Sequence, residues 1–184
     1  DDNNGTPPAD GNMPSGGPQD GGFGSGMDEA HDYNFIVING GTINVNADGD
    51  GIDSNGDLIV TGGTIYVSGP TNGGNGALDY AGNAAISGGT IVAVGASGMA
   101  QNFGSDSPQG CMLVTVAEST LTGDLTLTDS DGNVIVSYSP EKAYNSVVIS
   151  SPDIKKGATY TLATGDTTNT VSMSSVVYGE DDHM

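Results

Sequence analysis

Asn46-Ala47-Asp48-Gly49-Asp50-Gly51-Ile52-Asp53-Ser54-Asn55-Gly56-Asp57 is the densest run of hard oxygen donors in the chain. Asp48, Asp50, Asp53 and Asp57 bring carboxylates, and Asn55 adds an amide oxygen. Carboxylates this close repel one another unless a cation sits among them. A hard divalent cation answers that need, and calcium accepts irregular oxygen geometry more readily than magnesium. The spacing is not that of an EF-hand, because the closing bidentate Glu is missing. The run therefore predicts a calcium site, with an ordinary Asp/Gly-rich surface turn as the competing reading.

A second copy of the pattern strengthens the metal reading. Gly51-Ile52-Asp53-Ser54-Asn55-Gly56-Asp57 matches Ala77-Leu78-Asp79-Tyr80-Ala81-Gly82-Asn83 position by position. If the two copies stack as parallel strands, equivalent residues stand about 4.8 Å apart. Asp53 would then lie over Asp79, and Asp57 over Asn83. A third copy, Gly98-Met99-Ala100, puts Ala100 in the Asp53 column and ends the acidic ladder after two steps.

The elements that must hold these residues also repeat. Gly-Gly-Thr occurs at 40–42, 62–64 and 88–90, with spacings of 22 and 26 residues. Each copy follows a short apolar run and precedes an alternating one, such as Ile43-Asn44-Val45, Ile65-Tyr66-Val67 and Ile91-Val92-Ala93-Val94. Periods of this length mark solenoids or arrays. Neither a leucine ladder nor a helical period is present. Glycine at a corner permits positive φ and close stacking, and Ile and Thr suit a pleated strand. The expectation is an all-β chain with a right-handed parallel β-helix of the pectin-lyase-like kind over 35–116. Gly-Gly is also a hairpin turn, so antiparallel hairpins are the alternative. Residues 1–34 are rich in Gly, Pro and Asn and read as a flexible arm or insertion. Residues 117–184 lose the repeat and keep β-runs around Asp131-Gly132, a hairpin signal. They read as a β-meander that caps the solenoid.

Charge narrows the partners. The 184 residues include 3 Lys, no Arg and 23 Asp+Glu, for a formal charge of −20. A chain this acidic lacks the basic face that nucleic acid requires and the basic patch that an anionic membrane attracts. No apolar run is long enough to span a bilayer. The single Cys111 cannot form an internal disulfide and sits in an apolar run that reads as core. Calcium would supply the staple that an extracellular or cell-surface chain without disulfides needs. The start, Asp1-Asp2-Asn3-Asn4, has no signal-peptide pattern and is that expected of a mature or excised form. His31 lies in a polar stretch and reads as solvated.

Asn46–Gly56, Gly76-Ala77-Leu78-Asp79-Tyr80, Ile86-Ser87-Gly88-Gly89-Thr90 and Ser97-Gly98-Met99-Ala100-Gln101 together resemble a known family. It comprises the calcium-binding, right-handed β-helix carbohydrate-binding proteins on the surface of cellulose- and pectin-degrading clostridia and related bacteria. Ser137-Tyr138-Ser139-Pro140 and the 147–152 stretch are similar to its C-terminal part, so the resemblance covers about 35–165. Members of that family carry further coils upstream of the Gly/Pro-rich insertion, which this sequence does not include. The resemblance implies a pectate-lyase-like β-helix, bound calcium, and non-catalytic binding of acidic or plant cell-wall polysaccharide. Lyases of this fold need a basic residue, and residues 1–141 hold no Lys or Arg. Hydrolysis needs a pair of carboxylates, whereas Asp106 and Glu118 are isolated in sequence. Tyr66 and Tyr80 are candidates for stacking on sugar faces, with sheet packing as their alternative role. A second functional reading is a surface or fibre subunit whose solenoid ends join head to tail.

Overall fold

The computed structural model describes residues 34–117 and 121–179. The arm up to residue 33, including His31, lies outside the described residues, as does Glu118. The strands are β1 (Phe35–Asn46), β2 (Ile52–Ser54), β3 (Asp57–Ser68), β4 (Leu78–Tyr80), β5 (Ala84–Ile86), β6 (Thr90–Gly95) and β7 (Cys111–Thr115). They continue as β8 (Leu125–Asp129), β9 (Val134–Tyr138), β10 (Ser146–Ser150), β11 (Thr159–Thr164), β12 (Thr167–Ser172) and β13 (Val177–Tyr178). The described residues are thus all-β. Their helical content is one short 3-10 turn at Ser97–Met99, and no helix among them is long and apolar enough to cross a membrane.

Three sheets form. The largest runs β1-β3-β6-β10-β7-β13, with β5 also paired to β3. A second, β12-β11-β8-β9, is antiparallel. The third is the parallel pair β2-β4. Successive copies of the repeat lie parallel and in register. Ile43 pairs with Ile65, and Ile65 with Ile91, so the three isoleucines share one column. Ile65 and Ile91 are fully buried, and Ile43, on the outermost strand, is half-buried. Full burial of such a side chain stabilises by about 2 kcal/mol.

The glycine pairs do two different jobs. The second glycine of each pair takes the left-handed conformation, with φ of +85° at Gly41, +102° at Gly63 and +84° at Gly89. The first glycine makes room for the neighbouring copy, as does the second in the third pair, where a Cβ on Gly89 would strike the Gly63 carbonyl. A Cβ on Gly62 would lie 2.8 Å from the Asn39 carbonyl oxygen, and one on Gly88 would collide with the Thr61 carbonyl. The chain therefore turns at the second glycine, and in the second and third pairs both glycines lie close against the preceding copy.

Two apolar cores share the large sheet. Ile38, Leu58, Val60, Ile65, Ile86, Ile91 and Phe103 fill the space enclosed by the repeats. Val92, Val94, Met112, Val147 and Ile149 point the other way and meet Leu125, Leu127, Tyr160 and Leu162 of the antiparallel sheet. Strands β6, β7 and β10 are therefore covered on both faces, which explains their unbroken apolar runs. Cys111 is buried in the first core. The large sheet crosses the boundary drawn at 117. Strand β10, from beyond it, inserts antiparallel between β6 and β7, and β13 extends the same sheet beside β7.

The stacking role of the first glycine gives a sharp contrast. Gly88→Ala should destabilise by about 1–3 kcal/mol, the cost of overpacking against backbone that cannot move. Gly40→Ala should change stability by less than about 0.5 kcal/mol, since no described atom lies within 4 Å of a Cβ there. Urea unfolding of the two variants checks both.

Candidate metal and ligand sites

The acidic corner is built by short parallel strands. Gly51 lets the chain pass close to its neighbour, because a Cβ there would strike the Ala77 carbonyl. In β2, Ile52 and Ser54 are buried and Asp53 is exposed, so strand alternation turns the Asp53 carboxylate to solvent. The pairing with β4 is Ile52 to Leu78, Asp53 to Asp79 and Ser54 to Tyr80. Two carboxylates therefore stand in register one strand spacing apart, about 4.8 Å. Ser54 Oγ donates to the Asp57 carbonyl at 2.9 Å and closes the turn.

Asp48, Asp50 and Asp57 are engaged by protein groups. Asp50 Oδ1 accepts the Gly76 N–H at 2.8 Å. Asp57 Oδ1 accepts the Asn83 N–H at 2.8 Å. Both bonds span 26 residues, the length of the second repeat interval, so each is a tether from one copy to the next. Asp48 Oδ1 accepts from Lys142 Nζ at 2.7 Å. The hydrogen bond from Lys142 and then its charge hold the Asp48 carboxyl below the ordinary aspartate range. The segment that brings Lys142 is fixed beside it. Asn46 Nδ2 donates to Glu141 Oε2 at 2.6 Å, and the Glu141 N–H donates to Ser68 Oγ at 2.9 Å. Asn55 and Asn83 are exposed.

Of the seven candidate ligands, the structure brings Asp53 and Asp79 together and, separately, Asp57 and Asn83. Asp48 and Asp50 face other partners. Among the described residues no three His, Cys, Asp or Glu side chains converge as a metal-holding group. The donor chemistry at Asp53 and Asp79 fits one calcium ion held by two carboxylates, with its remaining oxygens drawn from carbonyls, amides or a ligand.

The two tyrosines are packed as well as partly exposed. Tyr66 stacks on Tyr138 with ring centroids 4.8 Å apart and planes 20° from parallel. The Tyr138 hydroxyl is bonded to Ser68 Oγ at 2.9 Å. The Tyr80 hydroxyl donates to the Asn102 carbonyl. Its backbone N–H donates to Gln101 Oε1 at 2.8 Å, and Gln101 Nε2 donates back to the Tyr80 carbonyl at 3.4 Å. The Gln101 amide thus serves β4 as the backbone of a third strand would, which ends the β2-β4 pair next to Ala100.

Comparison of the chain with protein-family models, with curated proteins and with solved structures found no match. Lys142 is the site residue that repeat counting missed. It sits 94 residues from Asp48 in a segment without the repeat, and its scarcity in an acidic chain was the one signal pointing to it.

The tethers and the ion pair make separate predictions. Asp50→Ala should cost about 1–3 kcal/mol by leaving the Gly76 N–H unpaired, whereas Asp50→Asn keeps an acceptor oxygen and should recover most of that. Thermal melts of the two variants in chelator compare them directly. Asp48 has a depressed folded-state pKa, so its ion pair stabilises above the unfolded-state value and is lost as pH falls through the folded one. Asp48→Asn should therefore lower the melting temperature at neutral pH, with the difference from wild type closing below the depressed pKa.

Proposed function

We propose that the chain is a non-catalytic, calcium-dependent carbohydrate-binding module. Its ligand class is acidic or plant cell-wall polysaccharide, and its place is extracellular or at the cell surface. The coils that carry the site are read as a right-handed parallel β-helix closed by the antiparallel sheet. The observation that carries the proposal is the in-register pair of Asp53 and Asp79 on adjacent parallel strands. Carboxylates paired this way repel in a sheet, and a shared cation turns the repulsion into a tie between coils.

The charge of the chain explains why calcium would matter for binding. At −20 the protein repels a polyuronate at neutral pH. Calcium takes about six to eight oxygens, so an ion held by two carboxylates keeps positions for uronate or hydroxyl oxygens. The absence of a free base at the acidic corner supports a non-catalytic role there: residues 1–141 hold no Lys or Arg, and Lys142 is bound to Asp48.

A second reading, head-to-tail assembly of copies, draws on a different observation. Strand β1 is twelve residues long and, among the described residues, pairs on one side only, with β3. It leaves Phe35 65% and Val37 49% exposed. A long edge with apolar side chains invites a further strand. Size-exclusion chromatography separates the readings, since a concentration-independent monomer removes assembly.

Affinity electrophoresis through gels containing polygalacturonate tests the main proposal. Retardation should be strongest with calcium and weaken clearly with chelator or with Asp53→Ala. Equal retardation with calcium and with chelator would overturn the bridging role of the ion.

A further inference from the structure

The three lysines are not spread evenly. Lys142 is spent on Asp48, while Lys155 and Lys156 sit side by side in the turn between β10 and β11. That turn forms one wall of a groove of about 380 Å³, whose opposite wall is the loop before β7. Pro108, Pro152 and Val176 give the groove an apolar lining, and Ser87 adds a hydroxyl.

Both walls are held in place. The Tyr160 ring is buried, and its hydroxyl accepts the Lys155 N–H at 2.8 Å while donating to the Asp153 carbonyl at 2.9 Å. The Ile154 N–H donates to the Ser151 carbonyl at 3.0 Å, and the Ala158 N–H to the Lys155 carbonyl at 3.2 Å. Gly157 completes the turn with φ of +86°. On the other wall, Gly110 passes so close to Ile154 that a Cβ would strike its carbonyl, and Gln109 Nε2 donates to the Gly89 carbonyl at 3.0 Å and to Ser150 Oγ at 2.8 Å.

The lysines differ within this frame. Lys155 Nζ donates to the Pro152 carbonyl and keeps two further N–H donors. Lys156 makes no hydrogen bond or ion pair with the described residues, and its ammonium is exposed. Asp153 belongs to the same turn and Asp106 to the facing loop, so the cationic spot is bounded by acidic residues. At −20 the chain repels a polyanion, and the two lysines of the groove offset that repulsion locally for a single carboxylate.

We propose that this groove is a calcium-independent subsite for one hexuronate residue of an acidic polysaccharide. Lys155 and Lys156 contact the carboxylate, and the proline and valine side chains meet the sugar ring. The proposal rests on the carbohydrate-binding reading and adds to it a second, direct contact for the same polymer. A pre-ordered site loses less entropy on binding than a mobile one, and the turn held by the Tyr160 hydroxyl and its own backbone bonds supplies that order. The acidic surroundings set the ligand class. A carboxylate carried singly on each sugar can reach the lysines, while a densely charged phosphate polymer is repelled by Asp106 and Asp153 as well.

The experiment is a titration of trigalacturonate into isotope-labelled protein in excess chelator, followed by amide NMR shifts. Ser87, Gln109, Lys155 and Lys156 should shift together and saturate. The Lys155→Gln/Lys156→Gln double variant should weaken that affinity at least tenfold, with its melting temperature unchanged because both side chains are exposed. Acetate at equal carboxylate concentration should not saturate the same shifts. No groove shifts, an unchanged affinity in the double variant, or an equal response to acetate would each overturn the subsite. If shifts appear only with calcium and only around Asp53 and Asp79, the subsite falls and the carbohydrate-binding reading stands. If neither region responds with or without calcium, both fall.

Discussion

Parallel, in-register pairing of one repeat copy with the next is the constraint on which the rest of the structure depends. It places each residue over its counterpart at one strand spacing, so every choice in one copy is tested against the same position in the next. Apolar positions gain from this, as in the Ile43, Ile65 and Ile91 column. Glycine positions become obligatory where backbone meets backbone, as at Gly62 and Gly88. Charged positions are the difficult case, since like groups are brought face to face.

The acidic corner shows three ways of meeting that difficulty. Asp50 and Asp57 face counterparts without a carboxylate, Gly76 and Asn83, and accept their backbone N–H groups, so their charge ties two repeat copies together. Asp48 is matched by an ammonium from the C-terminal part of the chain. Asp53 has Asp79 as its register partner and faces solvent, which is the arrangement that the proposed calcium ion resolves. The hydrogen bonds link successive repeat copies without a metal, and the proposed ion would add stability and coordination positions for the proposed sugar ligand.

Much of the register between repeat copies was legible in the sequence. Counting from Gly-Gly-Thr gave the Asp53 and Asp79 pairing and the isoleucine column, because a period states directly which residues are neighbours. Other features were not legible, for physical reasons. The insertion of β10 between β6 and β7 depends on contacts distant in sequence, and an apolar run such as Val147-Val148-Ile149 does not say which sheet it joins. The roles of the two glycines in each pair are indistinguishable in composition, and it is the second that takes positive φ. A run of carboxylates reads as a metal site, yet backbone N–H groups and Lys142 compete for the same oxygens, and no spacing rule reports that competition. The Gln101 side chain standing in for a strand is likewise invisible to pattern, because it replaces backbone with an amide.

Calorimetric titration of calcium into chelator-treated protein tests the central claim most directly. The account predicts saturable heat at a defined stoichiometry in the wild type, loss of at least one site in Asp53→Ala, and retention of it in Lys142→Met, whose partner Asp48 stands apart from the Asp53 and Asp79 pair. Absence of saturable heat in the wild type, or a titration unaltered by Asp53→Ala, would contradict it.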